Sequence, residues 1–177
     1  MKLLLHSCCA PCSIYPLEQI KAEGLEVEGI FYNPNIHPLD EYNKRRNAMV
    51  DFSAIKNLVV SYPEYLISEF MALIQGKDKK PERCFLCWKK RMEKTAKEAK
   101  AKGFDFFTTT LLVSPYQDHD ALRQIGNDVA KQENVNFYYQ DFRKGFRLAQ
   151  NQARASGLYR QKYCGCLYSL EERCSEV

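Results

Sequence analysis

No stretch of this 177-residue sequence approaches the ~20 consecutive apolar residues that a membrane-spanning helix needs. The opening "MKLLLHSCCA" has an apolar run of only three residues, well short of the ~7–15 of a secretory leader. Both absences argue against a membrane or exported protein and for a cytoplasmic one. Tracts of low complexity, internal repeats and linkers are also missing. One domain over residues 1–177 is therefore expected. Its composition, 45% hydrophobic and 27% charged, suits an ordinary globular fold large enough to bury a core without crosslinks.

Cysteine, by contrast, is plentiful. There are eight: Cys8, Cys9, Cys12, Cys84, Cys87, Cys164, Cys166 and Cys174. In a reducing compartment, clustered thiols point to metal binding or catalysis rather than structural disulfides. Buried inert thiols would explain a lone Cys174. They explain poorly seven cysteines that fall into three tight groups.

The net charge of +4 conceals a sharper pattern. Residues 77–103 carry eleven Lys/Arg against four Asp/Glu, and residues 141–163 carry six against one. Each basic block adjoins a cysteine group, which points to a polyanionic partner such as RNA. On that reading Lys89, Lys90, Arg91, Arg143, Lys144 and Arg160 are the phosphate contacts. A solvated helix face explains "KKRMEKTAKEAKAKG" equally well. Aromatics beside basic residues, as in "CFLCWKKR" and "GLYRQKY", suit stacking on bases.

The order of elements points to an α/β fold. "KLLLHS" reads as a buried strand, "YPLEQIKAEG" as a helix and "LEVEGIFYNP" as a second strand. This β-α-β opening predicts a doubly wound, mostly parallel, Rossmann-like sheet. Further strands are expected in "NLVVSYP", "FDFFTTTLLVSPY" and "VNFYYQDF". Helices are expected over "LDEYNKRRNAMVDFSAI", "EYLISEFMALI", about 20 residues after Pro81, and "DHDALRQIGNDVAKQEN" with Asp118 as its cap. Such sheets bind ligands beyond the C-terminal ends of their strands. "CCAPCS", "YNPNIHP" and "TTLLVSPYQ" would all converge there, with the metal site at that rim.

The thiols admit several chemistries. Cys84 and Cys87 share a helix face at i, i+3, and the helix start and basic neighbours favour thiolate. Adjacent Cys8 and Cys9 are awkward for a zinc knuckle but can reach a large cluster. Cys164 and Cys166 suit either ligation or dithiol–disulfide cycling. "CAPC" also resembles the C-x-P-C of thioredoxin-like oxidoreductases, and a zinc-stabilised RNA-binding module is a further alternative. His6 is read as a residue behind the ligands. His37 and His119 are read as surface loop residues. Tyr116 and Asp118 are candidate proton donors.

Taken in order, "HSCCAPCS", "FYNPNIHP" with "EYNKR", "RCFLCWKKRMEKTA", "FTTTLLVSPYQ" and "DFRKGF" followed by "GLYRQKYCGCLYSL" resemble the cobalamin-independent epoxyqueuosine reductases. The resemblance covers nearly the whole chain. It implies two-electron reduction of the epoxide of epoxyqueuosine, at the wobble position of tRNA, to queuosine. It implies a 4Fe–4S cluster, an adjacent iron, no cobalamin and an external electron donor. Cys8, Cys9, Cys84 and Cys87 would ligate the cluster, and Cys12 would hold or face the second metal. Cys164 and Cys166 would be a redox-active disulfide pair or further iron ligands. Tyr32, Asn33, Asn35, Tyr42, Arg45 and Tyr116 would contact the substrate.

Overall fold

Leu3, Leu4 and Leu5 are all buried in β1 (Lys2–His6), the middle strand of the sheet. A strand apolar on both faces must be covered on both faces, as parallel sheets are. The computed structural model describes residues 1–175, so the last two positions of the expected 1–177 domain lie outside the described residues. β1 pairs in parallel with β2 (Glu26–Ile30) on one side and β4 (Phe106–Thr109) on the other. β3 (Val60–Ser61) and β5 (Asn136–Phe137) form the two edges. The order β3-β2-β1-β4-β5, parallel throughout, is the doubly wound arrangement expected.

Helices cover both faces. α1 (Ala10–Ala22) packs with α2 (Leu39–Ile55) and α6 (Phe146–Ala155) on one face. α4 (Glu82–Ala101) and α5 (His119–Glu133) pack together on the other, beside α3 (Ile67–Ile74). α7 (Leu167–Ser175) closes the described chain.

Several boundaries differ from the sequence expectation. α1 begins at Ala10, not near Tyr15. Pro16 reads as a helix start because proline favours the first turn, but Pro11 fills that place and Pro16 lies inside the helix. The helix is started by Cys9, whose Sγ accepts from the Cys12 backbone N–H at 3.4 Å. The run after Phe106 leaves strand geometry at Thr109, whose Oγ1 accepts from Leu111 N and starts a 3₁₀ turn over Thr110–Val113. Both edge strands shrink to two residues, and short edges resist pairing with other chains. The Asp118 cap is present: its Oδ1 accepts from Ala121 N at 3.0 Å.

Gly126 lies inside α5, where glycine costs ~1 kcal/mol against alanine. A Cβ there would meet the Phe137 ring at 2.2 Å, so the helix approaches β5 too closely for any side chain. Gly126→Ala should destabilise the protein by about 1–3 kcal/mol. Thermal unfolding checks this, and a stabilised variant would mean that the ring moves aside freely.

Candidate active site

β2 and β3 lie to one side of β1, and β4 and β5 to the other, so the chain reverses direction across the sheet between β1 and β4. Ligand crevices of α/β sheets form beyond the strand ends at such a point. Cys8 follows β1 there, and Thr110 follows β4. Thr110 Oγ1 accepts from Cys8 N at 2.9 Å and lies 3.2 Å from Cys8 Sγ. The sulfurs of Cys8, Cys9 and Cys12 lie within 4.8 Å of one another. Gln161 Nε2 donates to Cys9 Sγ at 2.9 Å. Hydrogen bonding from Cys12 and Cys9 holds the Cys8 thiol well below its usual range, against the cost of burial. Burial pushes Cys9 up, and hydrogen bonding to Cys8 pushes Cys12 up.

A second group stands across the crevice. Cys84 and Cys87 occupy the first turns of α4, and Cys164 and Cys166 the loop before α7. Cys87 and Cys166 pack with Phe70 and Ile74. Burial pushes the Cys87 thiol up to about 12, with Arg91 opposing. Cys164 is reached by solvent, yet it sits deep enough in the crevice for desolvation to raise it too. Seven cysteines therefore meet as a group of three and a group of four. Cys174 stands apart, exposed on α7.

The loop carrying Cys164 and Cys166 is fastened from behind. Arg45 donates from Nη2 to Tyr163 O and from Nη1 to Cys164 O, each at 3.0 Å. His37 N donates to Gly165 O at 2.8 Å. Gly165 adopts φ +146°, and a Cβ there would sit 2.9 Å from Asn35 Nδ2. At the far end, Arg83 reaches Glu172 at 2.7 Å and ties α7 to α4. One expectation is corrected here: Cys164 and Cys166 form no disulfide, and all eight cysteines are free thiols. Cys166 turns into the packing against Phe70, Ile74 and Cys87, while Cys164 stays at the solvent side, so their sulfurs part.

The resulting cleft, about 720 Å³, is lined by Phe85, Trp88 and Phe146 as well as Cys8, Cys12, Cys84, Cys164 and Cys166. Six cationic side chains line it against two carboxylates, which favours an anionic ligand. Of the residues expected to contact substrate, Arg45 and Tyr116 line it. Tyr116 is 82% exposed on the rim, edge-on to Phe146. Tyr32 instead donates to Glu69, Tyr42 stacks on Tyr65 at 3.9 Å, and Asn33 and Asn35 are buried beneath the floor. His6 lies behind the triad, held by Thr109 and the Tyr32 carbonyl. Burial and then Arg91 lower its pKa to about 4, so it is neutral at neutral pH. His37 and His119, expected on the surface, are buried. Gln161 and Thr110 escaped the sequence reading; proximity to a cysteine motif was the only available signal.

The basic residues divide. Lys89 is exposed and pairs with Glu93, Lys90 pairs with Glu69, and Arg143 is held by Asp141. Lys144 and Arg160 are exposed, with no ion-pair partner among the described residues. Arg91 faces inward on the cleft floor rather than outward with Lys89.

Comparison with solved structures gives the fold alone. The chain superposes with a TM-score of 0.57 and 11% identity on a predicted subunit of tRNA methyltransferase from Methanocaldococcus jannaschii, covering 87% of this chain and 74% of that one. Sequence gives more. The family model described as epoxyqueuosine reductase QueH matches residues 3–172. The protein of that name from Dehalococcoides mccartyi is 36% identical over 97% of this chain and 94% of its own. The one from Thermotoga maritima is 37% identical over 97% and 91%. Because the match runs from the first strand into the last helix and the relatives are of nearly equal length, this chain belongs to the epoxyqueuosine reductase QueH family.

Proposed function

We propose that this protein reduces the epoxide of epoxyqueuosine in tRNA to the alkene of queuosine, in the cytoplasm, with iron–sulfur chemistry and no cobalamin. The observation that carries this reading is the meeting of five thiols from three distant segments in one cation-lined cleft, with Cys9 and Cys87 buried beside them. The family supplies the reaction. Both bonds to the epoxide oxygen break, a carbon–carbon double bond forms, and the oxygen leaves as water. Two electrons and two protons enter, the electrons from an external donor.

The donor set fits an iron–sulfur centre. Soft thiolates select such clusters, and four is their usual complement. Cys8 and Cys9, with Cys84 and Cys87 across the cleft, supply four, and the sulfurs of Cys8, Cys9 and Cys12 lie within 4.8 Å of one another. The cluster is assigned to Cys8, Cys9, Cys84 and Cys87 and the adjacent iron to Cys12, with Cys164 and Cys166 beside it. Bound there, the cluster supplies electrons singly and the ion a Lewis acid for the epoxide oxygen.

The chain's own residues do the rest. Phe85, packed against the buried Trp88, offers a face for a base or ribose. Lys80, Lys162 and Arg173 offer charge to phosphate. Asp118 is occupied in capping α5, which leaves Tyr116 as the better candidate for delivering a proton at the rim.

Anaerobic purification followed by incubation with epoxyqueuosine-containing tRNA and a reductant tests the reading. Brown protein holding iron and sulfide, and loss of one oxygen from the nucleoside, are expected. Colourless protein holding zinc would favour an RNA-binding module instead.

The tRNA reading has its own test. Lys144 and Arg160 adjoin the cleft-lining Phe146 and Gln161 in sequence and are free of ion pairs among the described residues. Replacing both with Gln should weaken tRNA binding. The slope of log K against log salt should flatten by about 0.7–0.9 for each phosphate no longer neutralised. An unchanged slope would leave these side chains merely solvated.

A further inference from the structure

Three arginines are buried around the cleft, and two of them have carboxylates. Arg45 is 2.8 Å from Glu41, and Arg83 is 2.7 Å from Glu172. Arg91 has none among the described residues. It is only 2% exposed, in the middle of α4. Its Nε donates to Cys87 O at 3.3 Å and its Nη1 to Asn33 Oδ1 at 3.4 Å, both neutral acceptors. Its Nη2 has no partner among the described residues. A buried cation left in this state is costly, and folds keep one only where an anion offsets it.

The groups that can become anionic around it are thiols. Arg91 lines the cleft together with Cys8, Cys12, Cys84, Cys164 and Cys166. Those cysteines come from all three cysteine-bearing segments and from both thiol groups. Protonated thiols offset nothing. A centre held by several thiolates is anionic, and each added electron makes it more so. The position of Arg91 answers to that charge.

We propose that Arg91 is the built-in counter-cation of the metal–thiolate centre: a buried positive charge on the wall of the thiol-lined cleft, it favours the reduced state. This rests on the iron–sulfur reading above. Arg91 acts through the ligands, so it is a positioning residue and not one that touches substrate. Asn33 is its support, fixed in turn by donating from Nδ2 to Ser7 O at 2.9 Å. The field of a fixed cation on a redox centre fades with distance and is strong where water is excluded.

Redox titration of the anaerobically purified full chain, followed by absorbance and electron paramagnetic resonance, tests this without reference to activity. Arg91→Gln should retain iron and sulfide but shift the potential negative. The reduced-to-oxidised ratio at fixed potential should fall at least tenfold, which is about 59 mV for one electron. Arg91→Lys keeps the charge and should stay within about threefold of wild type. An unshifted Arg91→Gln, or an Arg91→Lys that behaves like it, would overturn the proposal. Should Arg91→Gln fail to assemble its centre, Asn33→Asp decides. It leaves the guanidinium in place and sets a carboxylate against it, so a negative shift is expected and a wild-type potential overturns the idea. Wild-type protein that assembles no iron and sulfide would overturn the cofactor reading, and this inference with it.

Discussion

Arg45→Met should lower stability by about 3–5 kcal/mol, because it strips the cation from a buried ion pair and leaves Glu41 uncompensated. For a chain of this size that is a fall in Tm of roughly 6–20 °C. Arg45 is 2% exposed, and Glu41 is buried beside it with only the Tyr159 hydroxyl as a further partner among the described residues. The variant also removes both bonds to the Tyr163 and Cys164 carbonyls. Cys166, buried in the native loop, should then become open to alkylation. Arg45→Lys should recover little, since one ammonium cannot serve a carboxylate and two carbonyls in a planar fork. Pairing Arg45→Met with Glu41→Leu should restore most of the stability but not the loop. If the single variant melts like wild type, Arg45 does not fasten the cysteine loop.

The second large effect concerns the division of the thiols. Cys87→Ser should abolish nearly all bound inorganic sulfide, because a serine hydroxyl is a poor replacement for a buried thiolate ligand. Cys12→Ser should keep the sulfide and lose a single iron. Cys174→Ser, altered on the exposed side of α7, should match wild type in both and serves as the control. Iron and sulfide assays on anaerobic protein read all three. Sulfide kept in full by Cys87→Ser would overturn the ligand assignment.

The sequence announced the framework well where one local rule ruled alone. The apolar run of β1, the Asp118 cap and the 20-residue helix after Pro81 each follow from burial, capping or proline geometry, and each stands as expected. Failures came where two rules competed. Pro16 looked like a helix start because proline favours the first turn, but Pro11, five residues earlier, already served as one. "VNFYYQDF" has strong strand propensity, but an edge position gave it only two residues of ladder. The cysteine groups were legible as groups. Which of them pack together was not, because Cys87 of α4 meets Cys166 of the loop before α7 only through tertiary packing, beside Phe70 and Ile74. Arg91 is the sharpest case: in sequence it belongs to a run of surface charge with Lys89 and Lys90, and only the phase of α4 turns it inward.

The fastening of the last loop against the first strand has a consequence in time. Cys8 and Cys166 are separated by 158 positions, so at about 5–20 residues per second the ribosome makes them roughly 8–30 s apart. Throughout that interval the triad exists without Gln161, without Arg45's carbonyl partners and without half of its opposing thiols. Loading of the centre therefore belongs to finished chains. A ribosome stalled before Tyr163 would release a sheet with three clustered thiols and an open fourth wall, ready to take the wrong metal.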